Sequence, residues 1–209
     1  GRVMARMIPR YNESERANHW MVALLFMLAA LSGLAFFHPA FYFLTALFGG
    51  GSWARILHPF VGVLMCLSFL GLFMRLKGDN VLNEGDRAWR AKSAELLAGN
   101  KAAMPPAGKY NAAQKITFWV KSLCLLVLLV TGVMFWEPWF AHYFPIWAMR
   151  LAVLLHSVSA TVLILTVIMH IYAAIWVKGS MRAMTRGDVT EGWAKQNHAL
   201  WYEQVSRGK

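Results

Sequence analysis

Polar residues almost vanish from this chain in four long runs, His19–Phe37, Ile56–Met74, Ile116–Trp136 and Leu151–Val177, and return in the segments between them. An α-helix needs about 20 apolar residues to cross the hydrocarbon of a bilayer, so the pattern predicts four transmembrane helices. The first run lacks a convincing small-residue cleavage site and reads as a retained span rather than a signal peptide. The fourth is longer than crossing requires and is expected to tilt or to project beyond the lipid. Two polar segments are compatible with amphipathic helices: "NEGDRAWRAKSAELLAGN" in the connection 75–115, and "GWAKQNHALWYEQV" in the tail 178–209. Either could lie in water or on the membrane surface.

Composition agrees with the pattern. Of 209 residues, 58% are hydrophobic and only 15% charged, which indicates an integral membrane protein folded as one domain over 1–209. The net charge of +11 would otherwise raise nucleic acid as a partner. Its distribution points to membrane topology instead. Arg2, Arg6, Arg10 and Arg16 precede the first run, eight basic residues lie in 75–115 and six in the tail, while the other two connections offer only Arg55 and Arg150. By the positive-inside rule both termini and the middle connection are cytoplasmic, with Trp20, Trp136, Trp139 and Trp147 at the interfaces. The expected architecture is an all-α, multi-pass four-helix bundle in lipid. Cys66 and Cys124 lie inside apolar runs and form no C-x-x-C, so they read as small hydrophobes rather than cluster or zinc ligands. No internal repeat stands out.

Candidate chemistry comes from histidines within the apolar runs. His156 and His170 are fourteen residues apart in the fourth run. That spacing leaves them about 40° apart around a helix and about 21 Å apart along it. Intramembrane ionisable groups are costly and point to function; the alternative for one such histidine is an interhelical hydrogen bond. Topology supplies each with a partner at its own depth. His58, in "RILHPF", matches His156 in the outer half, and His19 matches His170 in the inner half. Two imidazoles on opposite sides of a flat macrocycle suit haem iron. Zinc would want four ligands, and a proton relay would want carboxylates that the four runs lack. The pattern therefore predicts two non-covalent b-type haems, with iron axial ligands His58 and His156 outside and His19 and His170 inside. Iron saturated in this way passes electrons and has no open position for oxygen chemistry.

Other residues are more ambiguous. Gly33, Gly62, Ser157, Ser159, Ala160 and Thr161 would let a macrocycle approach the backbone, or simply pack helices. The first helix is expected to start earlier than its apolar run, in "YNESERAN". Arg16 could meet a haem propionate or merely set topology. Lys121 could snorkel inward or contact a propionate or quinone. His38, His142 and His198 fall outside the spans and are weaker ligand candidates.

Taken together, the blocks "RANHW", "RILHPF", "GKYNAAQK", "VTGVMFWEPWFAHYFP", "LLHS…HIYAAIWVKGS" and "WAKQNHALWYEQV" resemble the cytochrome b556 (gamma) subunits of respiratory formate dehydrogenases over nearly the whole length. The histidine pattern alone is shared with the cytochrome b subunits of hydrogenases and with sulfur-compound reductases. The "GKYNAAQK" block and the tail favour the formate family. The resemblance implies a complex with an iron–sulfur (beta) subunit and a molybdenum- or tungsten-containing catalytic (alpha) subunit, in which this subunit does not itself act on formate. A higher-order oligomer of the heterotrimer is compatible with it. It further implies electrons passing from the outer to the inner haem and on to a quinone, menaquinone or ubiquinone, reduced near the cytoplasmic face in anaerobic respiration. Proton uptake there would build a proton-motive force. In that family the quinone site uses residues matching His170, Asn111 and Gln114; read without the resemblance, Asn111 is equally a helix cap.

Overall fold

The structure is a computed structural model that describes residues 5–208. Four long helices dominate it: α1 (Glu13–Leu34), α2 (Gly51–Leu76), α5 (Ala112–Met134) and α6 (Ile146–Trp176). All four are long and apolar enough to cross a membrane. Each begins before its apolar run, because the residues that lead in are also helical; α1 starts within "YNESERAN", at Glu13. Between α2 and α5 lie the short helices α3 (Glu84–Ala91) and α4 (Ser93–Leu97), and after α6 come α7 (Ser180–Thr185), α8 (Glu191–Asn197) and α9 (Ala199–Arg207). Strands β1 (Met7–Pro9) and β2 (Asp188–Thr190) pair antiparallel, with Ile8 opposite Val189.

The chain forms two compact units, one of residues 17–73 and 120–170, the other of the residues up to Arg16, 74–119 and those from Ile171 onward. In the first, all four long helices pack around Ala29, Met65, Cys124, Leu125 and Leu163. Both cysteines are free thiols there. Outside this thin core, Leu24, Leu67, Leu123 and Leu165 remain exposed. A helix apolar on every side is suited to lipid, since hydrocarbon covers what the neighbouring helices do not. Pro59 sits within α2, a kink site tolerated in membrane helices because neighbouring groups can satisfy the freed backbone carbonyl. Asn18 ties α1 to α2 by donating through Nδ2 to the Ser68 carbonyl at 2.8 Å.

The second unit has an aromatic core of Tyr11, Tyr110, Trp193 and Trp201 with Ile8 and Val189. Arg10 is buried among them, its guanidinium carbon 5.4, 5.4, 5.1 and 4.8 Å from the ring centres of Tyr11, Tyr110, Trp193 and Trp201. One guanidinium nitrogen donates to the Lys109 carbonyl, and Nη1 has no hydrogen-bond partner. The rings' negative faces supply what a carboxylate otherwise would. Tyr11 and Tyr110 share a hydroxyl–hydroxyl bond of 2.6 Å, and burial raises the pKa of both phenols.

The two amphipathic segments of the sequence are helical but broken. The first becomes α3 and α4, with a reciprocal Asn83–Asp86 cap, and Asp86 also accepts a buried ion pair from Lys115 at 2.9 Å. The second becomes α8 and α9, divided at His198, whose Nδ1 donates to the Gly108 carbonyl at 2.7 Å.

Candidate functional site

α2 and α6 bring His58 and His156 together with ring centres 6.3 Å apart and planes at 77°. α1 and α6 bring His19 and His170 to 6.5 Å, with planes at 42°. The four intramembrane histidines therefore meet in the two pairs that depth matching predicts. A metal ion about 2 Å from one nitrogen of each imidazole holds facing ring centres about 6 Å apart, so both separations fit one metal per pair. Among the described residues no group of three or more His, Cys, Asp or Glu could hold a metal ion. The donor set is two imidazoles per site, which suits an axially ligated macrocycle rather than tetrahedral zinc.

The His58–His156 pair lines a cavity of about 530 Å³ enclosed by all four long helices, within the roughly 300–1,000 Å³ typical of cofactor sites. Its walls are largely apolar, and Arg55 and Glu137 are the charged residues in them. Gly62 lines the same cavity, and a Cβ added to it would meet nothing within 4 Å. This combination of two facing imidazoles, an apolar space and bare backbone beside it fits a flat porphyrin.

Both rings of this pair meet a hydroxyl from a neighbouring helix. Ser32 Oγ in α1 lies 2.8 Å from His58 Nδ1 and donates its own hydrogen to the Leu28 carbonyl at 2.8 Å. Thr131 Oγ1 in α5 lies 3.0 Å from His156 Nδ1 and donates to the Val127 carbonyl at 2.6 Å. Each hydroxyl has only one hydrogen, so each accepts from the imidazole. Nδ1 is thereby fixed as the protonated nitrogen, and Nε2 keeps the lone pair a metal requires. The neighbouring glycines bring the backbone against these rings. An added Cβ on Gly33 would stand 3.0 Å from His58 Cε1, and one on Gly132 would stand 3.2 Å from His156 Cε1.

Sequence reasoning missed Ser32, Thr131 and Gly132, yet a signal for them exists. "LSGLAFF" (31–37) in α1 and "VTGVMFW" (130–136) in α5 match position by position in type, and each reaches the histidine of the following long helix. The two helices thus share a local repeat of one hydroxyl and one glycine.

The His19–His170 pair has different surroundings. His19 Nδ1 is buried with no hydrogen-bond partner. Lys121 of α5 lies near enough to act electrostatically on both rings.

Asn111 and Gln114 cap α5 reciprocally. Gln114 Oε1 accepts from the Asn111 backbone N–H at 2.8 Å, and Asn111 Oδ1 accepts from the Gln114 N–H at 2.9 Å. The capping reading is correct, and it occupies only the two amide oxygens. Both NH₂ groups remain available as donors. Arg16 donates to the Thr185 carbonyl at 3.1 Å, joining the start of α1 to the end of α7. His38 caps the short 3₁₀ segment Pro39–Phe48, His142 stacks beside Tyr143, and His198 is the structural histidine of the tail.

The profile of the prokaryotic cytochrome b561 family matches residues 10–187. The cytochrome b556(Fdn) subunit of the nitrate-inducible formate dehydrogenase of Escherichia coli K12 is 40% identical over 205 residues, covering 98% of this chain and 94% of the relative. The cytochrome b556(fdo) subunit of a formate dehydrogenase from the same organism is 44% identical over 200 residues, covering 96% and 94%. A formate dehydrogenase cytochrome b556 subunit of Haemophilus influenzae is 42% identical over 197 residues, covering 94% and 83%.

Proposed function

Given that the chain belongs to the prokaryotic cytochrome b561 family, we propose that it is the membrane cytochrome b subunit of a formate dehydrogenase complex, conducting electrons from an iron–sulfur partner through two haems b to a quinone. The observation that carries this reading is the pair of facing bis-imidazole sites at 6.3 and 6.5 Å. The relatives' names support formate dehydrogenase over the hydrogenase and sulfur-compound alternatives. The partners are an iron–sulfur subunit and a molybdenum- or tungsten-containing catalytic subunit.

His58 and His156 hold the outer haem, and His19 and His170 the inner one. Bound haem supplies one-electron redox chemistry; the residues of this chain position it and exclude water. Arg55, in the wall of the outer cavity, offers a cation for a propionate. Both termini are cytoplasmic, following the basic residues of the tail and middle connection. Asn111 and Gln114 present their NH₂ donors to the carbonyl oxygens of a quinone, which is an acceptor, while their oxygens stay on the helix cap.

A dithionite-reduced spectrum of the purified complex, with pyridine haemochrome and metal analysis, tests the whole reading. Two haems b per copy of this chain and a co-purifying molybdenum or tungsten subunit are expected; protein free of haem would refute it. The quinone assignment has its own test. Asn111→Asp and Gln114→Glu keep the capping oxygens and remove the donors. Quinone reduction should fall about tenfold per lost bond, with haem content and helicity unchanged. Wild-type quinone kinetics in both variants would remove the two amides from the site.

A further inference from the structure

We propose that the hydroxyls of Ser32 and Thr131 strengthen electron donation from His58 and His156, and so hold the outer haem at a lower reduction potential than the inner one. This rests on the diheme reading above. The two hydroxyls act alike on the two ligands of one site. Ser32 Oγ accepts from His58 Nδ1 at 2.8 Å while donating to Leu28, and Thr131 Oγ1 accepts from His156 Nδ1 at 3.0 Å while donating to Val127. An imidazole whose far N–H is hydrogen-bonded to an acceptor is a stronger donor through its other nitrogen. A stronger donor stabilises the more positive, ferric state over the ferrous state, which lowers the potential.

The other site lacks this support on at least one side, since His19 Nδ1 is buried without a partner. Without that added donation its iron is the easier to reduce. The asymmetry therefore favours transfer from the outer to the inner site, and it is built from two hydroxyl groups rather than from different ligands. Ser32 and Thr131 are positioning residues: they touch the imidazoles and not the iron.

The test is an optical redox titration of the purified complex, after haem content has been counted. His58→Ala, lacking the outer haem, supplies the inner haem's curve. In the Ser32→Ala/Thr131→Val double variant the reduced-to-oxidised ratio of the outer haem at fixed potential should rise on the order of tenfold, equivalent to about 59 mV for a one-electron couple. The inner curve should stay in place, and Thr131→Ser, which restores the hydroxyl, should behave as wild type. Loss of the outer haem in Thr131→Val but not in Thr131→Ser would also support the role, because only the hydroxyl-bearing variant keeps the imidazole's partner. An outer curve that does not move with both haems present, a shift confined to the inner haem, or haem loss in Thr131→Ser as well would overturn it. Wild-type protein without two haems would instead bring down the diheme reading.

Discussion

The unit that carries the four paired histidines and the unit built from residues 5–16, 74–119 and 171–208 have solved opposite problems. The first is apolar on nearly every side, has a thin core, and leaves Leu24, Leu67, Leu123 and Leu165 exposed. Its polar groups are few, and two of its histidines, His58 and His156, line a largely apolar cavity. The second is rich in charge and aromatic rings, and its centre is a buried cation. Removing a polar group from the first should cost a cofactor, whereas removing one from the second should cost stability.

The most severe way to test that contrast is to delete a ligand. His58→Ala or His156→Ala should abolish the outer haem entirely while the inner one persists, read as loss of half the pyridine haemochrome. Loss of the inner haem in His58→Ala would show that the pairing is wrong. Helicity by circular dichroism should hardly change, because neither imidazole belongs to the packed core.

On the other side of the comparison, Arg10→Ala should leave haem content intact and loosen the second unit. Four ring contacts at about 0.5–2 kcal/mol each, less the desolvation cost of a guanidinium, suggest a loss of about 3 kcal/mol. Hydrogen exchange along β1, β2 and α8 is the readout. Unaltered protection would mean that the aromatic core holds without its cation.

His198 sharpens the contrast through pH. Burial, helped by the neighbouring Arg10, pushes its pKa down to about 3, against the pull of the Gly108 carbonyl. The unfolded segment binds a proton near pH 6.5 and the folded one does not, so stability is constant above that pH and falls as pH drops from about 6.5 toward 3. At pH 5 the loss is about 2 kcal/mol. Exchange in α8 and α9 should quicken over this window, and His198→Asn, which keeps an N–H for the Gly108 carbonyl but cannot titrate, should abolish the dependence.

These differences also decide what the sequence makes legible. The spans, their order and the pairing of His58 with His156 and His19 with His170 follow from hydropathy, charge bias and helical rise, which are one-dimensional properties. Ser32 and Thr131 do not stand out, because a lone hydroxyl in a membrane helix ordinarily bonds back to its own i−4 carbonyl, and both do that as well. Only the neighbouring helix reveals the second bond. The Arg10 box is less legible still. It joins residues from the start, the middle and the end of the chain, and in sequence Arg10 looks like one more topology-setting charge. Asn111 is open to two readings in the sequence, and the structure shows the cap, formed with Gln114 through the two side-chain amide oxygens.

The smallest effect expected has a sign that depends on the cofactor. Gly62 lies in α2, and beyond the backbone of its own helix no heavy atom of the described residues comes within 4 Å of where its Cβ would be. In protein without haem, Gly62→Ala should therefore be stabilising by about 0.5–1 kcal/mol, since alanine loses less backbone freedom in a helix. That space belongs to the cavity around His58 and His156, so the same methyl group should meet the macrocycle when the site is loaded. Haem should then dissociate faster from the outer site of Gly62→Ala than from wild type, even as the haem-free protein melts slightly higher. Gly33→Ala offers the converse. Its methyl group would press on the His58 ring itself, so it should disturb the protein with and without haem. A Gly62→Ala variant that binds haem as wild type does would mean that the flat group does not occupy the bare face of α2, and the assigned cavity would have to be redrawn.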